Sequence, residues 1–579
     1  MHDSISRRTF IGSAGAAGAL GALAGVGSVS GPAAVTIALA EDVSGADWVG
    51  EEPQIDDADV KEEVTVDVVV VGCSDSGSVA VRSAVENGAS VAFVEKADHV
   101  NACGSDIAVP NGNIQERYGR KGIVDVDQLV RVHQEESLYQ TKEGIARRFC
   151  TEMGDVFDWI LEADPDVLVL DTIFDDVPDD KADNYLMPCR YPYADESYDY
   201  NSEAIPTFPV SVKFPALSTL TGLQVEKAKS EGEVHEYFGH AGRKLIMEDG
   251  RCVGVYAENL TDGGYVRLNA KKGVILCTGD YKDNADMLQA LTPDVIENGC
   301  TTLSILTAVD GSKVCVGDGH KMGIWAGARL QSHHCPMIHH MGGGAGPDGR
   351  GVMGINGYLQ LNLAGKRFMN EDLPGQQLEN QIEQLPGRAS YQFFDSAWPE
   401  QCKNFPEGHG VVLFCLDEDE APKNHATNTN WRTKQDIQDA VDQGRCYTSD
   451  TLEGLLDQID DIDRDAALES IARYNEIAAN GDDEDFGKDS RRLFPLENPP
   501  YYCCKLTPAF NLANMDGLES DEDCHTFDAD RNVIPGLYVA GNVQGGRFAY
   551  QYPISMPGCS VGFALFYGYV AGKNAALGL

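Results

Sequence analysis

The chain has 579 residues and a formal net charge of -46, with 42% hydrophobic and 8% aromatic residues. That length allows two or three domains with well-buried cores, and that composition excludes a largely disordered chain. The acidity argues against nucleic acid and against an anionic membrane surface, and fits an exported soluble protein or docking onto a basic partner.

Ser6-Arg7-Arg8-Thr9-Phe10-Ile11 is a twin-arginine pattern, followed by a weakly apolar Gly/Ala-rich stretch and by Ala38-Leu39-Ala40, a cleavage-site pattern. Residues 1–40 are therefore predicted to be a Tat signal peptide, and their glycine and alanine content argues against a transmembrane anchor. The expected location is extracytoplasmic, peripheral at the outer face of the cytoplasmic membrane. Residues 41–63 are acidic and aperiodic and read as a linker.

The strongest signal lies in residues 66–96. Residues 66–71 form a near-continuous β-branched run, as expected for a strand buried on both faces of a parallel sheet. A glycine turn follows at Gly72, a helix is predicted over 76–86, Gly88 breaks it, and a second apolar strand ends at Glu95. This is a β-α-β unit of dinucleotide-binding type. Gly72 permits the sharp turn, Gly77 lets helix and strand approach, and the helix N-terminus can hold a pyrophosphate. Glu95 stands where an acid accepts the hydrogen bonds of a ribose. Ser74 replaces the middle glycine of the fingerprint, and Asp75 puts a negative charge beside the phosphate site.

Small residues around Asn101, Gly104 and Ser105 would let the backbone lie against a flat ring system. Residues 125–165 are helical by period, and 170–210, rich in Asp, Tyr and Pro, read as a surface excursion. A helix over 217–232 precedes an alternating run, 234–259, with a hairpin turn at Glu248-Asp249-Gly250-Arg251. A strand at 273–277 leads into Thr278-Gly279. Gly317-Asp318-Gly319 is a second glycine turn opening a helix. His333, His334, His339 and His340 do not share one helical face, so no metal site is expected there. From about 351 the character changes; a long amphipathic helix is predicted over 452–479. The chain closes with residues 534–542, a glycine-rich loop and a final helix. Its 16 cysteines form no C-x-x-C pair and no haem attachment motif. They read as buried thiols, with an iron–sulfur cluster of non-standard spacing, or a disulfide, as the alternatives.

The glycine turn with Glu95, Cys277-Thr278-Gly279, Gly317-Asp318-Gly319, residues 365–371, the segment from Tyr474-Asn475 to Gly487-Lys488 and residues 534–542 occur in that order. This set resembles the fumarate reductase and 3-ketosteroid dehydrogenase superfamily of FAD enzymes, including the flavocytochrome c-type reductases. The resemblance implies an α/β fold: a discontinuous Rossmann-like FAD-binding domain, 64–350 and 502–579, with an inserted α+β capping domain, 351–501. It implies non-covalent FAD, with substrate between the cap and the isoalloxazine ring. His99 belongs to a turn and is not a covalent flavin link. The cofactor contacts implied are Gly72, Ser74, Ser76, Gly77, Glu95, Lys96, Asn101, Gly104, Ser105, Thr278, Gly279, Asp318, Gly541, Asn542, Gly558, Ser560 and Val561.

In soluble fumarate reductases an arginine lies eleven residues beyond the glycine matching Gly541; here that residue is Tyr552. A second family arginine is replaced by Pro374, and the paired histidines of the substrate loop fall at Leu512 and Ala513. Nothing there can clamp a dicarboxylate bidentately, so fumarate and succinate are poor substrates on this reading. Tyr552-Pro553, with Asn542, is similar to the ketosteroid dehydrogenase branch, where a Tyr-Pro-Gly loop polarises a ketone. Gly558 is the matching glycine, two residues further on than in the family. Gly375 stands where some dehydrogenases carry a tyrosine.

Hydride addition to an alkene needs a conjugated carbonyl whose developing negative charge is stabilised, and a proton for the α-carbon. Tyr552 is the expected electrophile or acid, with Tyr550 and Arg547 as nearby candidates and Glu371 as a further one. The competing readings are packing for the two tyrosines, and anchoring of Arg367 or the domain hinge for Glu371. His340 is a candidate pocket wall, and Trp398 a wall of the cap. An exported flavoprotein cannot draw on cytoplasmic NADH, so a multihaem cytochrome c at the membrane is the expected electron donor, as in respiratory reductases of anaerobic gut bacteria. Three readings stand: a reductase of an enone or unsaturated lactone, such as a cardenolide; a ketosteroid-type dehydrogenase; and a non-catalytic electron-transfer subunit.

Overall fold

The computed structural model describes residues 48–122, 125–172, 175–188, 210–304, 306–339, 344, 351–373, 375–405, 411–420, 431–508, 510–553 and 556–579. The predicted signal peptide lies outside the described residues, as do His340 and Pro374.

Strand β1 (Val60–Val71) is the centre of the main sheet. From Val68 to Val71 it is apolar at every position because both faces are covered: Val68 and Val70 enter one core, and Val69 and Val71, with Val66 before Asp67, enter the other. Helix α1 (Asp75–Glu86) returns the chain to β2 (Val91–Glu95), parallel to β1, and β2 pairs in turn with β3 (Val234–Phe238). On the other side of β1 lies β4 (Tyr265–Leu276), followed by β5 (Val533–Val539), both parallel. The sheet is thus completed by a strand from the far end of the sequence. The final helix, α2 (Cys559–Leu577), packs on α1, where Gly568 and Gly572 let its backbone approach Ser76 and Ala80.

A second body is built on an antiparallel sheet of Leu359–Asn362, Ser390–Asp395, Tyr501–Leu506 and Tyr447–Ser449, in that spatial order. Its two faces bury separate cores. Phe394, Cys504 and Leu506 lie in one; Leu361, Phe393 and Cys503 lie in the other, under the helix Arg464–Asn480.

Three expectations are corrected. Residues 41–63 are not wholly a linker: Trp48 and Val49 are buried, and β1 already runs from Val60, in register with β4. The acidic side chains there face outward, so the sequence hides the strand. The segment 170–210 is not simply a surface excursion, because Tyr185–Pro188 is a buried strand whose Tyr185 and Met187 enter the second body's core. The predicted helix 452–479 is two, Leu452–Leu456 and Arg464–Asn480. Asp463 caps the second by accepting from the Ala466 amide, while its own amide donates to Leu363 O, 2.8 Å.

Among the described residues no helix is long and apolar enough to cross a membrane.

Candidate active site

The cradle begins where β1 ends. A Cβ at Gly72 would overlap the Cys277 carbonyl, and one at Gly77 would overlap the carbonyl of Gly72, so helix, turn and neighbouring strand meet at backbone distance. Ser74 precedes the first turn of α1, leaving its amides free of a side-chain cap. Ser76 is buried against Gly541. Burial pushes the Asp75 carboxyl up to about 7, against a hydrogen bond from Cys103. The charge that spoils the fingerprint on paper is therefore partly suppressed at neutral pH.

At the end of β2, Glu95 accepts from the Cys73 amide at 2.9 Å and the Ala97 amide at 3.0 Å. Burial raises its pKa, and the two amides fix its carboxylate in one orientation. Gly72, Ser74, Glu95, Lys96, Asn101, Thr278, Gly279 and Asp318 line one pocket, together with His240, Gly242, Cys277, Leu306, Val314 and Cys315. Lys96 is not free there: Asp318 lies 2.5 Å from its ammonium, and Arg243 also reaches Asp318 at 3.3 Å. The sequence reading missed His240 and Gly242. The local signal was Gly242, whose missing side chain lets that strand pass Val71.

The segment carrying Gly104 and Ser105 runs against the start of α2. A Cβ at Gly104 would fall 2.9 Å from Val561 Cγ2, the Ser105 carbonyl accepts from the Phe214 amide at 2.8 Å, and the Gly558 carbonyl accepts from the Ala108 amide at 3.1 Å. Asn542 donates to Asp280 at 3.4 Å and accepts from Arg547 Nη2 at 3.3 Å. The residues fit FAD on two counts: backbone approaches that no side chain could share, and the Thr278 hydroxyl, buried in the cradle with no partner. Glu95 would hold the ribose, the α1 N-terminus the pyrophosphate, and the 104–105 and 558–561 segments would flank the ring system.

Tyr552 is buried beside the N-terminus of α2, where its hydroxyl accepts from the Ser560 amide at 3.2 Å and neighbours the Cys559 thiol. Burial first, then the Cys559 sulfur to which it hydrogen-bonds, and last Asp106, holds its phenol far above the ordinary range. The amide at this hydroxyl is that of Ser560. Gly558, the match to the family's loop glycine, is the left-handed cap of α2. Arg547 is fully buried and pairs with no carboxylate among the described residues. Its Nε donates to Gln544 O at 3.0 Å, and its Nη1 has no partner. Burial lowers it to about 10.

A family model described as an FAD binding domain matches residues 67–555. The chain belongs to this family. It is 25% identical over 355 residues to a 3-oxosteroid 1-dehydrogenase of Mycolicibacterium smegmatis, a match spanning 57% of each chain. It is 23% identical over 562 residues to the digoxin reductase of Eggerthella lenta, spanning 90% of this chain and 89% of that one. The crystal structure of a 3-ketosteroid-Δ4-(5α)-dehydrogenase from Rhodococcus jostii RHA1 has the same fold, with a TM-score of 0.65 at 20% identity, covering 91% of this chain and 100% of that chain. The relatives are FAD-dependent oxidoreductases that act on carbon–carbon bonds, and FAD is the family's cofactor.

Within this family site, two nominated residues are displaced. Tyr550 has φ +58° and is 48% exposed, its ring 4.5 Å from that of His333; the left-handed turn carries it outward while Tyr552 points in. Glu371 is fully buried in the second body, where Arg367 takes both its oxygens at 2.8 and 2.9 Å and Lys488 lies at 3.4 Å. It anchors rather than faces a site. Trp398 likewise lies inside that body's core, and His99 is exposed and bonded to Asp98. The fifteen described cysteines are free, Cys189 lies outside the described residues, and among the described residues no three His, Cys, Asp or Glu side chains could hold a metal. His334, set aside above, has its Nδ1 2.8 Å from the buried Asp516.

Proposed function

We propose that this chain is a reductase of an electron-poor alkene conjugated to a carbonyl, an enone or unsaturated lactone of steroid-like size such as a cardenolide. Bound FAD supplies hydride transfer at carbon. The chain's own work is to bind the carbonyl and stabilise its developing charge. The observation that carries the reading is the Tyr552 hydroxyl, buried at the N-terminus of α2 beside the unpaired Arg547. It accepts from Ser560, and its own proton, directed at the Cys559 thiol, would turn to donate to a substrate oxygen. A neutral phenol in this place suits a ketone or lactone, which offers one polarised carbonyl. A dicarboxylate would require a second cationic clamp, and Leu512 and Ala513 supply none.

The second body is the cap on this reading, closing over the substrate. Its helix Gly375–Glu383 supports this, because Asn380 reaches Gln551, next to Tyr552, at 3.4 Å. The twin-arginine segment supports export, and export supports a multihaem cytochrome c at the membrane as electron donor. Tyr552→Phe tests the assignment. Alkene-dependent reoxidation of the reduced, FAD-loaded protein is expected to fall by a factor of about 100 to 1,000, the usual cost of one oxyanion donor. An unchanged rate would sink it.

A further inference from the structure

The carbonyl-binding loop leaves the α-carbon's proton without a source, and one buried constellation has no other use. Asp516 is fully buried, and its carboxylate is held by Tyr281 Oη, which donates to both oxygens at 2.9 and 3.0 Å, and by the Cys335 amide at 3.3 Å. His334 Nδ1 adds a fourth contact, at 2.8 Å, on acceptor capacity that these two donors leave open. A carboxylate only accepts, so Nδ1 carries the hydrogen and Nε2 is left as the working nitrogen. The imidazole keeps 26% of its exposure where Asp516 has none, so it is the member of the constellation that meets open space. A buried acid orienting a half-open imidazole by one nitrogen is the arrangement of a general acid–base group.

Its place in the molecule agrees. Tyr281 directly follows Asp280, which Asn542 bonds in the cofactor cradle. Gln331, three residues before His334, accepts from the Gly546 amide at 2.8 Å and donates to Phe548 O at 3.1 Å, so this segment lies along the loop that carries Tyr552. The Cys335 carbonyl accepts from Met515 at 2.9 Å, on the side of the substrate loop. The charged and titratable groups around His334 are Asp516, Tyr281, His320 from the helix Asp318–Trp325, and, beyond Cys335, Arg547.

We propose that His334, held by Asp516 and Tyr281, delivers the proton to the substrate's α-carbon. This rests on the reductase reading above. The Nε2–H bond breaks and the α-C–H bond forms. The imidazolium becomes neutral imidazole and is recharged from solvent, and the two electrons enter at the β-carbon as hydride from the reduced flavin. Tyr552, buried and engaged with Ser560, polarises the carbonyl and is not reloaded from solvent.

The test is anaerobic stopped-flow reoxidation of the reduced holoprotein, using digoxigenin and 4-androstene-3,17-dione as alkene probes and ferricyanide as an electron acceptor that needs no carbon-bound proton. His334→Asn keeps a donor toward Asp516. It is expected to slow alkene-dependent reoxidation by about 100- to 10,000-fold, to leave the ferricyanide rate unchanged, and to lose one limb of the pH–rate profile. Added imidazole is expected to restore part of the rate. Asp516→Asn is expected to lower the same rate with FAD retained. A His334→Asn rate within threefold of wild type, or an equal loss with ferricyanide, would overturn the proposal. If the wild type itself is reoxidised by neither alkene, the reductase reading falls first, and the two failures are told apart.

Discussion

Glu371→Gln separates anchoring from catalysis in the second body. Arg367 donates to Glu371 at 2.8 and 2.9 Å and to Asp483 at 2.8 and 2.7 Å, while Lys488 lies 3.4 Å from Glu371 and bonds the Gly357 carbonyl. Side-chain exposure is 7% for Arg367 and none for the other three. Two cations thus face two carboxylates, all shielded from bulk solvent. The substitution removes one negative charge and turns an amide toward one of the cations. Breaking a buried pair in this way costs about 3–5 kcal/mol, whereas exposed ion pairs contribute little. Urea unfolding, followed by far-UV circular dichroism and flavin fluorescence, is expected to show a lower midpoint with an unchanged slope. Alkene reoxidation per bound flavin, measured below the transition, is expected to stay within twofold of wild type. Full stability would refute the reasoning from buried charge. A lost rate at full stability would return Glu371 to catalysis.

Glu95→Gln replaces the oriented carboxylate by an amide. Equilibrium titration is expected to show FAD binding weakened by about 10- to 100-fold, the worth of a charge-assisted hydrogen bond. Gly77→Ala is expected to abolish FAD loading, because the new methyl would overlap the Gly72 carbonyl. Asp75 titrates near 7 in the fold, so wild-type FAD affinity is expected to fall as pH rises through 7, and Asp75→Asn to flatten that dependence. Asp521, against the effect of burial, raises His525 to about 8, and its ring also reaches Leu579 O at 3.1 Å. Its folded value exceeds its unfolded value near 6.5. This contribution to stability is therefore full below about 6.5 and is lost as pH rises through 8. Urea midpoints across that window are expected to flatten in His525→Gln.

What the sequence made legible was local. Residues 66–71 and Glu95 could be placed because a doubly buried strand, a glycine turn and a terminal acid are close in the chain and each has one physical reading. Anchoring of Arg367 by Glu371 was legible from their spacing of four residues, but the rest of the cluster was not, because Lys488, and Asp483 on the far side of Arg367, lie more than a hundred residues away. The count from Gly541 already put Tyr552 ahead of Tyr550; the left-handed backbone that turns Tyr550 outward was not legible. His334 stood in a histidine-rich run that suggested only a weak metal motif. Its meaning comes from Asp516, 182 residues later, in a segment with no signature of its own. The strand at 60–63 was hidden by its outward-facing acids, and Tyr185–Pro188 by polar neighbours on both sides.

The most direct test of the central claim is to reduce the FAD-loaded protein anaerobically and offer fumarate, a cinnamate, a 3-keto-4-ene steroid and a cardenolide in turn. Fast reoxidation by the steroid enone or the cardenolide, with fumarate inert, is the predicted result. Fast reoxidation by fumarate would contradict the account, because Tyr552, Leu512 and Ala513 would then stand where a dicarboxylate has to be clamped.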